Sequence, residues 1–284
     1  MEFGNQVIMM KSGDSVSKIT KFINKNYGLD IPEKLKPLAV SELKKFKTKY
    51  KIKDWSVILA NQGSQERTKQ LSELLEIFTV DHTNFFRNKI HFEILKNNAL
   101  PYLLSEQGHS DQTDLRIWSA GCSTGEEVFS ILVALFEYFG VKYKDITCGV
   151  LATDISRSAL KKTEVGIYNT AKVAKGIQSR LENYIELKGG GLFQFNEKLR
   201  REITLRDFNL NSKVYPFRQK FHVIFCRNVL LYFNRESREN TQEKLVSVLD
   251  NGGFIFIGDA ENLDFENFGL EKIGNGVFQK PDLV

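Results

Sequence analysis

Between Arg116 and Glu127 the chain reads R-I-W-S-A-G-C-S-T-G-E-E, and this stretch limits the fold more than any other. Ile117 and Trp118 make a short apolar strand, small residues follow, and Glu126 and Glu127 open a long apolar helical run to Phe139. Strand, glycine turn and helix together form the unit that starts a doubly wound α/β sheet. Gly121 and Gly125 let the backbone come close to a ligand there, having no side chain in the way. A helix start at such a turn normally attracts phosphate, but the two glutamates repel one. The expected ligand is nucleotide-like, lacks phosphate and carries positive charge; S-adenosylmethionine, with its sulfonium and amino group, fits. Gly121 to Gly125 is not G-x-G-x-x-G, and no G-K-[ST] occurs, so dinucleotide and P-loop fingerprints are absent.

The same alternation runs on to the end of the chain. Strands are expected at Leu115 to Ala120, Thr147 to Thr153, His222 to Cys226 and Phe254 to Gly258. Helices are expected at Glu126 to Phe139, Ser156 to Thr163 and Arg235 to Leu249. Near-continuous apolar strands separated by amphipathic helices indicate a mostly parallel, doubly wound sheet. Asn251-Gly252-Gly253 reads as a turn into the last of these strands, and Gly274-Asn275-Gly276 as the turn of a terminal hairpin. Residues 1–80 read as a helical N-terminal domain, with apolar stripes at Ile19, Phe22 and Ile23, at Ala39, Leu43 and Phe46, and at Leu71, Leu74 and Leu75. A linker with a connecting helix fills 81–114, and the α/β domain takes 115–284. Within it, about 169–207 reads as a small antiparallel β insertion: Gly189 to Gly191, then Leu192 to Phe195 and Glu202 to Leu205 as paired short strands. Its short edge strands either cap the main sheet or accept an extended peptide by strand addition.

Composition narrows the class. With 42% apolar and 26% charged residues over 284 positions, the chain can bury a sizeable core. Three cysteines beside apolar strands suit buried thiols in a reducing cytoplasm. No cationic start with an apolar run marks a signal peptide, and no apolar stretch is long enough to span a bilayer. The four histidines lack metal-ligand spacing, so no metal is expected. The net charge of +5 concentrates in Lys34, Lys36, Lys44, Lys45, Lys47, Lys49, Lys51 and Lys53, which form either a solvated helix face or a patch suited to an acidic partner: nucleic acid, an anionic membrane surface or an acidic protein face.

Three further groups carry chemistry. Asp154 ends the second strand, where an acidic residue accepts ribose hydroxyls; capping of the next helix is the alternative. Arg87, in T-N-F-F-R from Thr83, can hold a carboxylate through its planar fork or pack between domains. Arg227-Asn228 follows the fourth strand at the end where such sheets bind ligands.

Taken in order, Thr83 to Arg87, Ser119 to Glu127, Ala152 to Ile155, Phe225 to Val229 with Tyr232-Phe233, and Gly258 to Asn262 resemble the bacterial chemotaxis receptor methyltransferases, the CheR family. The similarity covers nearly the whole chain. It implies transfer of a methyl group from S-adenosylmethionine to glutamates on the cytoplasmic helices of chemoreceptors, leaving S-adenosylhomocysteine. It further implies a cofactor pocket drawing on Asp81, Thr83, Arg87, Gly121, Glu126, Asp154, Asn209, Leu210, Arg227 and Asn228, with Arg87 and Tyr232 at the reacting centre. Asp81 stands where the family often has Asn. The lysine patch would face the acidic methylation region of the receptor, and in some members the β insertion binds a receptor tail peptide. A cytoplasmic monomer without nucleic-acid partners is expected. A nucleic-acid methyltransferase and a non-catalytic cofactor-binding signalling module are the rival readings.

Overall fold

A computed structural model describes residues 12–30, 36–55, 65–79, 83–105, 114–261, 263 and 265–282. A seven-stranded sheet has the order β6-β2-β1-β7-β8-β10-β9, with β1 Asp114–Ala120, β2 Thr147–Asp154, β6 Ile203–Asp207, β7 Phe221–Cys226, β8 Leu249–Ile257, β9 Glu271–Gly274 and β10 Val277–Gln279. The pairs joining β6, β2, β1, β7 and β8 are all parallel, while β10 runs antiparallel to both neighbours. From β1 the chain winds outward through β2 to β6. It then returns to β7 on the other side of β1 and continues to β8. Strand order therefore reverses between β1 and β7, and a crevice opens beyond their carboxyl ends, where open α/β sheets take ligands.

Side-chain alternation sorts the strands onto two cores. Val223, Phe225, Phe254 and Phe256 point to one face, where α6 (Glu126–Phe139) packs with Phe129 and Leu132. Ile224, Cys226, Ile255 and Ile257 point to the other. That second face shares a single buried cluster with Ile19 and Ile23 of α1 (Ser12–Tyr27), Leu43 and Phe46 of α2 (Lys36–Lys49), and Leu74 and Leu75 of α3 (Gln65–Glu76). The described N-terminal helices thus cover that face of the sheet. On the first face the connecting segment, α4 (Lys89–Ile94), a π-helical turn (Leu95–Ala99) and α5 (Leu100–Leu103), buries Phe92, Leu95 and Leu100.

Helix limits follow from local chemistry. Ser156 caps α7 (Arg157–Val165) by accepting from Ala159 N, and Asn234 caps α10 (Arg235–Val248) by accepting from Ser237 N. The insertion is a three-stranded antiparallel sheet of order β3-β5-β4, with β3 Ile167–Asn169, β4 Ile185–Gly189 and β5 Leu192–Phe195. Its remaining helices are α8 (Lys175–Leu181) and, after β5, α9 (Glu197–Arg201). Phe195 stacks on Phe129 at 3.9 Å between centroids, which anchors the insertion on α6.

Two expectations are corrected. Glu202 to Leu205 does not pair with Leu192 to Phe195; Ile203–Asp207 is β6, parallel to β2 in the main sheet. The hairpin partner of β5 is β4, across Gly189 to Gly191. Nor is Asn251 to Gly253 a turn before the last parallel strand. It lies inside β8 as a bulge, where pairing steps from Phe221↔Leu249 to Val223↔Phe254. No described helix is long and apolar enough to cross a membrane, and all three cysteines are buried and free.

Candidate cofactor and active site

A cavity of about 930 Å³, part of it open to solvent, occupies the crevice between the ends of β1 and β7. After Ala120 the backbone turns sharply: the amides of Gly121 and Cys122 both donate to Thr153 O, at 2.8 and 2.9 Å. Gly121 has φ +79°, and a Cβ there would lie 2.5 Å from Val229. Gly125 has φ +94°, with space for a Cβ closed by Thr163 and the Tyr168 hydroxyl. Both glycines are required by backbone conformation and by neighbours. Asp154, at the end of β2, accepts from Ser123 N and Ser156 N, each at 2.8 Å. It therefore braces the glycine turn while lining the cavity; the cap of the next helix is Ser156.

The two glutamates that open α6 have different surroundings. Glu126 accepts from Thr124 Oγ1 at 2.6 Å and is not among the cavity-lining residues. Glu127 lines the cavity, accepts from Ser119 Oγ at 2.8 Å and meets Arg227 Nη1 at 3.3 Å. The helix turns about 100° per residue, so adjacent positions cannot share a face. Burial pushes the Glu127 carboxyl above the usual carboxylate range, against the pull of Arg227, Ser119 and Arg87. The Arg227 side chain is 1% exposed and also donates through Nη2 to Arg87 O. Its Nε is buried with no partner among the described residues, and burial lowers its pKa. One guanidinium thereby ties together β7, the start of α6 and the T-N-F-F-R segment.

Of the residues singled out from sequence, Thr83, Arg87, Gly121, Asp154, Asn209, Leu210, Arg227, Asn228 and Tyr232 line this cavity. Asp81 lies outside the described residues. Sequence reading missed the wall formed by Tyr27 and Leu29. There the chain leaving α1 runs along the segment after β7: Leu29 bridges Phe233, Asp30 N donates to Tyr232 O at 2.6 Å, and Asn234 N donates to Gly28 O at 2.8 Å. Asn209 Nδ2 adds a bond to Asn26 O. The available signal was Gly28, placed just beyond an amphipathic helix with φ +72°. No described group of His, Cys, Asp and Glu forms a metal site.

The donor set fits S-adenosylmethionine. Two carboxylates, Glu127 and Asp154, suit a cationic amino acid moiety and a ribose, and Leu29, Ile155, Phe208, Leu210 and Val229 supply apolar walls for a flat base. A mostly parallel sheet with its ligand crevice at the switch point, a glycine turn without phosphate-binding features and this donor set define a class I S-adenosylmethionine-dependent methyltransferase. The family model described as CheR methyltransferase, SAM binding domain, matches residues 81–276. Among curated relatives, a chemotaxis protein methyltransferase of Borreliella burgdorferi is 33% identical over 94% of each chain. Chemotaxis protein methyltransferase Cher2 of Pseudomonas putida is 31% identical over 86% of this chain and 88% of its own. Chemotaxis protein methyltransferase 1 of Pseudomonas aeruginosa is 32% identical over the same shares. The chain belongs to the CheR methyltransferase family.

Proposed function

We propose that this protein methylates glutamate side chains on the cytoplasmic helices of chemoreceptors, giving glutamyl methyl esters. The observation that carries the reading is the cavity of a CheR-family chain that holds Glu127 and Asp154 together with Arg87 and Tyr232. When bound, S-adenosylmethionine supplies an electrophilic methyl carbon on a sulfonium sulfur. Glu127, which lines the cavity where Glu126 does not, binds its amino group, and Asp154 binds the ribose hydroxyls. A target glutamate, with an ordinary pKa near 4.3, is ionised at neutral pH and needs no general base. The work left to the protein is orientation and exclusion of water. Arg87 holds a carboxylate through its guanidinium fork, and Tyr232 orients the reacting groups at the mouth.

The partner reading draws on the α2 surface. Ala39, Leu43 and Phe46 face the core, leaving Lys36, Lys44, Lys45, Lys49, Lys51 and Lys53 exposed for the acidic methylation helices. A receptor tail would add to β4, an edge strand of the insertion bearing the exposed Leu187 beside an apolar groove of Val173, Leu181 and Phe193. This work takes place in the cytoplasm.

The test is incubation with methyl-labelled S-adenosylmethionine and receptor-bearing membranes. Base-labile label on a receptor-sized band is expected. Label on RNA or DNA, or cofactor binding with no transfer to any receptor fraction, would overturn the reading.

A further inference from the structure

We propose that Glu261 is a positioning residue for the cofactor cavity: its carboxylate clamps the loop after β7 to the end of β8 and so sets the wall formed by Arg227, Asn228 and Val229. Glu261 is 2% exposed and is not itself among the lining residues. Its Oε2 accepts from Asn228 N at 2.6 Å and Gly258 N at 2.7 Å, and its Oε1 accepts from Leu230 N at 2.7 Å. These amides come from neighbouring strand exits, since Cys226 and Ile257 are partners in register.

Beyond Cys226 the chain leaves the sheet, and its amides lose their strand acceptors. A buried amide without an acceptor is costly. Glu261 supplies the acceptor for two of them at once, and the shape it accepts is an unusual one: Asn228 has φ +60°, a left-handed conformation uncommon outside glycine. Gly258 completes the clamp, because a Cβ there would lie 2.6 Å from Asn228 Nδ2. Burial raises the Glu261 carboxyl above its ordinary value, and the backbone amides oppose that shift. With the turn fixed, Arg227 reaches both Glu127 and Arg87 O. Glu261 therefore acts on the cavity through the backbone, two links away from any ligand.

Glu261→Gln separates positioning from bulk stability. The carboxamide keeps the volume but offers one acceptor oxygen, and its NH₂ must face an amide N–H. The inference rests on the S-adenosylmethionine cavity and not on the glutamate substrate, so calorimetry with S-adenosylhomocysteine tests it whatever the methyl acceptor is. In the full chain, well below its melting temperature, E261Q is expected to bind S-adenosylhomocysteine at least about tenfold more weakly. The amide protons of Asn228, Leu230 and Gly258 should move upfield while the rest of the spectrum stays native. A Kd within twofold of the parent, with those amides displaced, would overturn the proposal even if the melting temperature falls. Should E261Q fail to fold, Gly258→Ala carries the test: it leaves Glu261 in place and pushes on Asn228. Folded G258A should also lose about tenfold in affinity, and affinity within twofold of the parent would equally overturn the assignment.

Discussion

Glu127→Gln and Glu126→Gln make a matched pair, because the two residues are adjacent in the chain and differ in what they touch. The Glu127 side chain is 12% exposed and faces an Arg227 side chain that is 1% exposed. Removing one member of a buried ion pair costs about 3–5 kcal/mol. Glutamine keeps the volume and an oxygen for Ser119, so the lower figure applies to E127Q. In a chain of this size about 3 kcal/mol lowers the melting temperature by roughly 6–12 °C. The substitution also removes the negative charge that meets the cofactor's amino group. A hydrogen bond to a charged group is worth about 1.5–3 kcal/mol, equivalent to about 10- to 100-fold in Kd. Glu126 accepts from Thr124 Oγ1 outside the cavity lining, so E126Q should bind within twofold of the parent. Calorimetry with S-adenosylhomocysteine near neutral pH, together with thermal melts, reads both effects. Tenfold weaker binding in E126Q with parental binding in E127Q would refute the assignment of Glu127.

Three further outcomes are expected. Asp154→Asn should weaken S-adenosylhomocysteine binding at least about tenfold, since one amide now facing Ser123 N or Ser156 N meets a donor rather than an acceptor; retained affinity in calorimetry would remove Asp154 from the site. Gly28→Ala forces a side chain onto φ +72° with its Cβ 2.7 Å from Ser237 Cβ, costing about 1–3 kcal/mol and speeding cofactor release from the Tyr27–Leu29 wall; unchanged melting and dissociation rate would count against that wall. His91 is fully buried, with Nε2 2.9 Å from Asn275 O, and burial beside Arg227 pushes its pKa down to about 4. The unfolded chain takes up this proton near pH 6.5 and the folded chain does not. Stability therefore falls as pH drops from 6.5 to about 4, by about 3 kcal/mol at 1.36 kcal/mol per unit. Denaturant titrations should show this acid loss shrinking by about 3 kcal/mol in His91→Gln, and an unchanged loss would exclude His91 as its source.

Much of the fold was legible because local signals agree with burial. Strand β7 is buried throughout and β1 and β2 carry mostly apolar residues, and the helix limits at Gly125, Ser156 and Asn234 are written in turn and cap residues. The errors fall where two partners fit one local pattern. Ile203 to Leu205 alternates as well for a parallel edge strand as for an insertion hairpin, and only β2, far earlier in the chain, selects the first. Asn251-Gly252-Gly253 has turn composition, yet its backbone is held inside β8 by β7 and by β10, which places Gly252 N on Lys280 O.

The site divides in the same way. Sequence alone determined the chemistry on offer: glycines where the backbone must turn, carboxylates in place of a phosphate-binding loop, and Arg87, Arg227 and Tyr232 within recognisable motifs. These depend on each residue's own backbone preference and charge, which its neighbours in sequence barely alter. Tertiary structure decided which of these groups meet. The strand reversal between β1 and β7 brought Glu127 rather than Glu126 to Arg227, drew Tyr27 and Leu29 from the helical layer into the cavity wall, and put Glu261 beneath Asn228. The reason is physical: contacts between residues distant in the chain are chosen by which apolar faces can be buried together, and that choice exists only once the sheet and its covering helices pack.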